Sequence, residues 1–200
     1  ATQTPGCWYT DRYDPQAFTS AVFDGDSRLL HSISSLDSAA NRPSGFAGSF
    51  YDTQGRKHDV DIPIGERWAI DLYIDAGWAT QVRRAGLWAT TFDGLGDISG
   101  FPIISFTSND PADPANPAPA MQQPRFRVYT QDTDQNPGNG LTPGWIELGL
   151  PSGFSLDRWW TLECTLTSSA YEFRVIDDTD QVVLSLDDVV TFNSIRAGNL

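Results

Sequence analysis

Two hundred residues, 40% of them hydrophobic, suffice for one all-β domain with a sizeable core, and no apolar run is long enough to cross a bilayer. The formal charge of −13 arises from 22 Asp and 4 Glu against 12 Arg and the single Lys57, which excludes nucleic acid and anionic lipid as partners. Seventeen Gly and thirteen Pro, spread along the chain, predict many short strands joined by tight turns.

Ala1 followed by polar residues reads as a mature end left by leader cleavage, which implies a secreted, extracellular protein. Cys7 comes next, and its sole counterpart is Cys164. That separation excludes a zinc knuckle or a CxxC redox pair. In an oxidising compartment a Cys7–Cys164 disulfide is expected, stabilising the fold by about 4–5 kcal/mol in the chain-entropy model; two buried free thiols are the alternative. Period-two alternation then predicts strands at 17–23, 28–34, 46–52, 57–62, 67–75, 86–92, 101–107, 125–130, 144–148, 159–167, 171–176, 181–186 and 189–195. In the clearest of them Trp68, Ile70, Leu72 and Ile74 fall on one face and Arg67, Asp71, Tyr73 and Asp75 on the other. Leu162, Cys164 and Leu166 alternate with Thr161, Glu163 and Thr165, and Tyr171, Phe173 and Val175 alternate with Glu172, Arg174 and Ile176. Turn signals separate the strands, among them Asp24-Gly25-Asp26, Asp93-Gly94 and Pro151-Ser152-Gly153. Segments 35–41 and 76–85 have room for a turn or two of helix, with Gly77 weakening the second. Thirteen strands without a helical period predict an all-β fold of two packed antiparallel sheets or a jelly roll, in one domain spanning 1–200.

Two loops interrupt the pattern. Asn109 to Pro124 holds Pro111, Pro114, Pro117, Pro119 and Pro124, so it cannot be a central strand and polyproline-like extension is expected. Gln131 to Pro143 contains Asp132, Asp134 and Asn136, whose alternate oxygen-bearing side chains can converge on a Ca²⁺ ion. The match to an EF-hand fails at Pro137, which stands in place of the turn glycine, and the closing Glu is missing. Ca²⁺ binding there and a plain solvated turn both remain open. Asp24–Asp26 and Asp177–Asp180 are similar but read as hairpin turns.

The order Trp68–Asp75, Gly86-Leu87-Trp88-Ala89-Thr90-Thr91-Phe92-Asp93, Pro102-Ile103-Ile104-Ser105-Phe106, Arg125-Phe126-Arg127-Val128, Gly144-Trp145-Ile146-Glu147-Leu148-Gly149 and Trp160-Thr161-Leu162 resembles concanavalin A-like jelly-roll domains, the superfamily of legume-type lectins, laminin-G-like modules and several glucanases. The resemblance implies a two-sheet antiparallel jelly-roll sandwich with a late strand pair such as Trp159–Thr167 and Tyr171–Ile176. It also implies a closing strand beside the first. The sequence stops at Ser194–Leu200 as a strand is starting, so the last strand is short, trimmed, or supplied by another chain through β-augmentation, which makes a homo-oligomer or filament an open expectation.

No catalytic set is recognisable. Jelly-roll glucanases carry E-x-D-x-x-E on one strand, whereas Glu66, Glu147, Glu163 and Glu172 are scattered. Asp71 and Asp75 share a face about 13 Å apart at the strand rise, beyond the reach of a two-carboxylate mechanism. His31 and His58 sit in no motif of the related lyases, and no G-x-S-x-G, P-loop or H-E-x-x-H string occurs. Sugar binding needs aromatic faces for ring stacking with planar polar groups beside them. Asp71 and Tyr73 on one strand, Arg125, Arg127 and Tyr129 on a second, and Trp88 on a third would form such a groove if these strands are neighbours. The competing reading puts Trp68, Trp88, Trp145, Trp159 and Trp160 in the core and pairs Arg127 with Asp71. The expectation is therefore a non-catalytic extracellular sandwich binding glycan or another cell-surface ligand. Its rivals are a structural or adhesive subunit assembling through strand edges and a carbohydrate-active enzyme with an unrecognised site.

Overall fold

In the computed structural model, residues 8–10, 15–33, 55–81, 83–108, 123–130, 144–189 and 196–198 are described. They form antiparallel β-sheets with no α-helix among the described residues. The chain groups into two compact units, Ala1–Val60 and Asp61–Leu200.

The first unit contains β1 (Trp8–Tyr9), β2 (Ala17–Phe23), β3 (Asp26–Ser32) and β4 (Lys57–His58). β1 pairs with β4, and β2 with β3. Asp24 and Gly25 join β2 to β3 with φ of 52° and 80°. Two successive positive φ values are the signature of a turn whose twist matches that of its strands, and Asp-Gly adopts it readily. The strand predicted at 28–34 thus starts earlier, at Asp26, and ends at Ser32. The strand predicted at 46–52 and the helical turn at 35–41 lie outside the described residues.

The second unit holds β5 (Ile62–Pro63), β6 (Arg67–Ile74), β7 (Arg84–Trp88), β8 (Thr90–Phe92), β9 (Ile98–Gly100), β10 (Ile103–Thr107), β11 (Arg125–Thr130), β12 (Gly144–Gly149), β13 (Arg158–Leu166), β14 (Ala170–Ile176), β15 (Val182–Val189) and β16 (Arg196–Gly198). Their sheets have the orders β12-β11-β10-β7, β15-β14-β13-β6 and β5-β16-β8-β9. The first two face each other across an aromatic core. Phe126 of β11 meets Trp160 of β13 at 5.6 Å between ring centroids, and Phe154 stacks on both Trp160 and Phe106 at 5.2 and 5.8 Å. Alternation accounts for this core: Trp160, Leu162, Cys164 and Leu166 of β13 and Tyr171, Phe173 and Val175 of β14 are buried, while Trp68 and Ile74 close the β6 side. On the opposite face of β13 and β14 the same alternation lays out ion pairs, Arg67 with Glu163 at 2.6 Å and Arg174 with Glu172 and Asp187 at 3.2 and 2.8 Å.

Two expectations change. The single strand predicted over 86–92 is two, because the chain changes sheets at Ala89, whose buried N–H donates to the Pro102 carbonyl at 3.1 Å instead of to a ladder. Segment 76–85 supplies one 3₁₀ turn, Ala76–Thr80, before β7 begins; Asp75 caps it by accepting from the Gly77 N–H at 2.7 Å. Within Ser194–Leu200 a short strand, β16, pairs with β5 on one side and β8 on the other.

Candidate functional site

The β12-β11-β10-β7 sheet turns Ile104, Phe106, Phe126 and Val128 toward the core, so Ile103, Ser105, Thr107, Arg125, Arg127 and Tyr129 occupy its other face. Register extends these residues into cross-strand rows. Trp145, Tyr129, Ile103 and Trp88 lie opposite one another in one row, and Glu147, Arg127, Ser105 and Gly86 in the next. Each row crosses four strands, a span of about 14 Å at the usual inter-strand spacing.

The aromatic row is half-buried at Trp88, Tyr129 and Trp145. Tyr129 meets Trp145 edge-on at 5.4 Å between centroids, and Phe101 meets Trp88 at 6.1 Å, nearly perpendicular. The polar row is packed under it. Arg127, 3% exposed, lays its guanidinium over the Trp145 ring at 3.9 Å and points Nε at the Ser105 hydroxyl oxygen, 3.4 Å away. A guanidinium is weakly hydrated and planar, so stacking on an indole holds it where an ammonium would stay solvated. Arg125, also 3% exposed, donates from Nε to Glu147 Oε2 at 2.5 Å and from Nη1 to the Gln123 carbonyl at 2.9 Å. Burying either member of that pair alone would be costly, and together they neutralise each other. The second Glu147 oxygen, Oε1, is buried and has no hydrogen-bond donor among the described residues.

Four of the six residues expected in a groove, Trp88, Arg125, Arg127 and Tyr129, therefore share one face. Asp71 and Tyr73 do not join them. β6 pairs with β13, placing Asp71 across from Thr161 and Tyr73 across from Trp159 in the other sheet. Asp71 accepts a hydrogen bond from the Thr161 hydroxyl at 2.6 Å, and Tyr73 meets the Trp159 ring at 5.3 Å. The alternative pairing of Arg127 with Asp71 fails for the same reason. The tryptophans divide: Trp68 and Trp160 fill the core, Trp159 lies beside Tyr73, and Trp88 and Trp145 belong to the aromatic row. Trp145, Glu147 and Ser105 were missing from the expected groove. The alternation of Trp145 and Glu147 with Ile146 and Leu148 carried that signal, because it sets them on one face.

Only one partner of the expected Cys7–Cys164 disulfide, Cys164, lies among the described residues. Cys164 is a free, fully buried thiol on the core face of β13, across from Trp68 and Phe173, and burial, followed by the neighbouring Glu163 charge, raises its pKa well above 9.0. Cys7 lies outside the described residues, as do Asp132, Asp134 and Asn136 of the expected Ca²⁺ loop. Among the described residues no three metal-ligating side chains gather. Asp177 forms a turn, its Oδ1 accepting from the Thr179 hydroxyl, the Thr179 N–H and the Gln181 N–H at 2.7, 2.9 and 3.0 Å. His31 and His58 are on β3 and β4 of the first unit. Comparison with protein-family models, with curated proteins and with solved structures yields no match to this chain.

Proposed function

We propose that this chain is an extracellular, concanavalin A-like jelly-roll domain that binds glycan without chemistry, through the face bearing Trp88, Tyr129 and Trp145. The observation that carries the reading is the aromatic row itself, three half-buried rings aligned across the strands of one sheet. Sugar rings present C–H faces that pack on aromatic planes, and a row of about 14 Å exceeds the length of a single ring. Arg127, stacked under Trp145, and Glu147, paired with Arg125, hold the adjacent row in place beside the rings.

Glycan-array binding by the whole chain tests the proposal. Trp88→Ala and Trp145→Ala should each weaken a bound glycan by tenfold or more, about 1.4 kcal/mol. Trp159→Ala, on the other sheet, should leave affinity unchanged while serving as a control for loss of an aromatic side chain. Binding that survives both first substitutions, or that disappears with Trp159→Ala alone, would move the ligand off this face.

A further inference from the structure

The aromatic row of the β12-β11-β10-β7 sheet is not continuous, and the gap in it selects for ligand shape. Tyr129 and Trp145 sit on adjacent strands and meet edge-on at 5.4 Å between centroids, so they act as one platform. Trp88 stands two strands away from Tyr129, with Phe101 against it at 6.1 Å, and forms a second platform. Between the two comes Ile103 of β10, which is buried and carries no ring. At the usual inter-strand spacing the backbones of Tyr129 and Trp88 are about 10 Å apart, and those of Trp145 and Trp88 about 14 Å. Trp88, Tyr129 and Trp145 each keep part of their surface exposed, so contact is offered at both ends of the row and withheld at its middle. A single pyranose reaches one platform and never both.

Pyranoses linked through equatorial bonds at both ends extend as a flat ribbon, each ring advancing the chain by roughly one inter-strand spacing. Laid across the strands, such a ribbon sets successive rings over Trp145, Tyr129, Ile103 and Trp88. Its first two rings stack on one platform and its fourth on the other. An axial linkage coils the chain instead and lifts rings off a straight row. Once one platform is engaged, reaching the second is an intramolecular step, so affinity climbs when the chain is long enough to bridge them and levels off beyond that. Charge narrows the ligand further. Residues 61–200 hold 15 Asp and four Glu against eight Arg, a net −11, and that field disfavours uronates and sulfated sugars.

Resting on the glycan-binding reading above, we infer that the ligand is a linear, uncharged chain of at least four equatorially 1,4-linked pyranoses, lying across the strands and bridging the Tyr129–Trp145 pair to Trp88. The test is calorimetric titration of the full chain with di-, tri-, tetra- and hexasaccharides of β-1,4-linked glucose, mannose and xylose, and with maltotetraose. In at least one β-1,4 series affinity should rise about tenfold from disaccharide to tetrasaccharide and then level off, with maltotetraose about tenfold weaker than that tetrasaccharide. Trp88→Ala should cut tetrasaccharide affinity far more than disaccharide affinity and so abolish the length step, whereas Trp145→Ala should weaken both. Trp88→Phe, which keeps a ring, should retain part of the step and so separates lost stacking from lost fold. Trp159→Ala, on the other sheet, should leave the step intact. Affinity flat from disaccharide to hexasaccharide, equal binding of maltotetraose, or equal losses at both lengths in Trp88→Ala would overturn the inference. Selective array binding of a compact or charged glycan, weakened by both Trp88→Ala and Trp145→Ala, would overturn it as well while keeping this face as the binding site. No glycan bound anywhere on the array would remove the glycan-binding reading and this inference with it.

Discussion

Gly86 lies across from Ser105 in the polar row, and a Cβ there would sit 2.3 Å from the Ile104 carbonyl oxygen and 2.5 Å from the Ser105 Cβ. Both contacts involve atoms that cannot swing away, so Gly86→Ala should force β7 off β10 and cost about 1–3 kcal/mol, read as a lower urea midpoint. Cys164 makes a different prediction. Its thiol keeps its proton in the fold well above 9.0, whereas the unfolded chain loses it near that value. The folded state then binds the extra proton, so stability is fully present below pH 9.0 and falls as pH rises above it. The alkaline loss should be steeper in the parent protein than in Cys164→Ala, and native Cys164 should resist alkylation until denaturant is added. Sequence alone made Cys164 a core-facing residue by its place between Leu162 and Leu166. It could not show that the cross-strand neighbours there would be Trp68 and Phe173, because alternation fixes a face and not what lies opposite.

The elements most legible in advance are the ones with a long, one-sided alternation, β6, β11, β13 and β14, where the side-chain period decides burial with little help from context. The change of sheets at Ala89 was hidden because Trp88 to Phe92 is uniformly apolar or β-branched and reads as continuous. β9, three residues long, is too short for alternation to register. The residues expected together share a face within β11 but are not joined by those of β6 for a related reason: strand neighbours are set by pairing across the chain, which no local pattern encodes. The β14–β15 turn is an element that acid should loosen. Asp177 has its pKa lowered by the Thr179 hydroxyl bond and then by the Gln181 N–H, and Asp178 by its bond to Arg158. Their contribution is present above the ordinary 3.8 and is lost as pH falls through the lower folded values. Amide chemical shifts of Thr179 and Gln181 should titrate together below pH 3.8, and Asp177→Ala should remove that step.

At the scale of the whole molecule, the uneven charge matters more than its total. With −11 on residues 61–200, self-repulsion should weaken the sandwich at low ionic strength, and added NaCl should raise its melting temperature until screening saturates. Residues 1–60, at −2, should show a smaller response, so probes placed in the two units would report different salt slopes. A stronger salt response from the first unit would contradict that assignment. Beneath the aromatic row runs β10, which has a strand on each side and all five residues buried, Ile104 and Phe106 toward the core and Ile103, Ser105 and Thr107 away from it. A strand enclosed on four sides opens only when its sheet comes apart, so its amide protons should be among the slowest to exchange in the protein. A ligand arriving at Trp88, Tyr129 and Trp145 would therefore meet a backbone already ordered, and its affinity would carry little of the entropy cost that a folding-on-binding site has to offset.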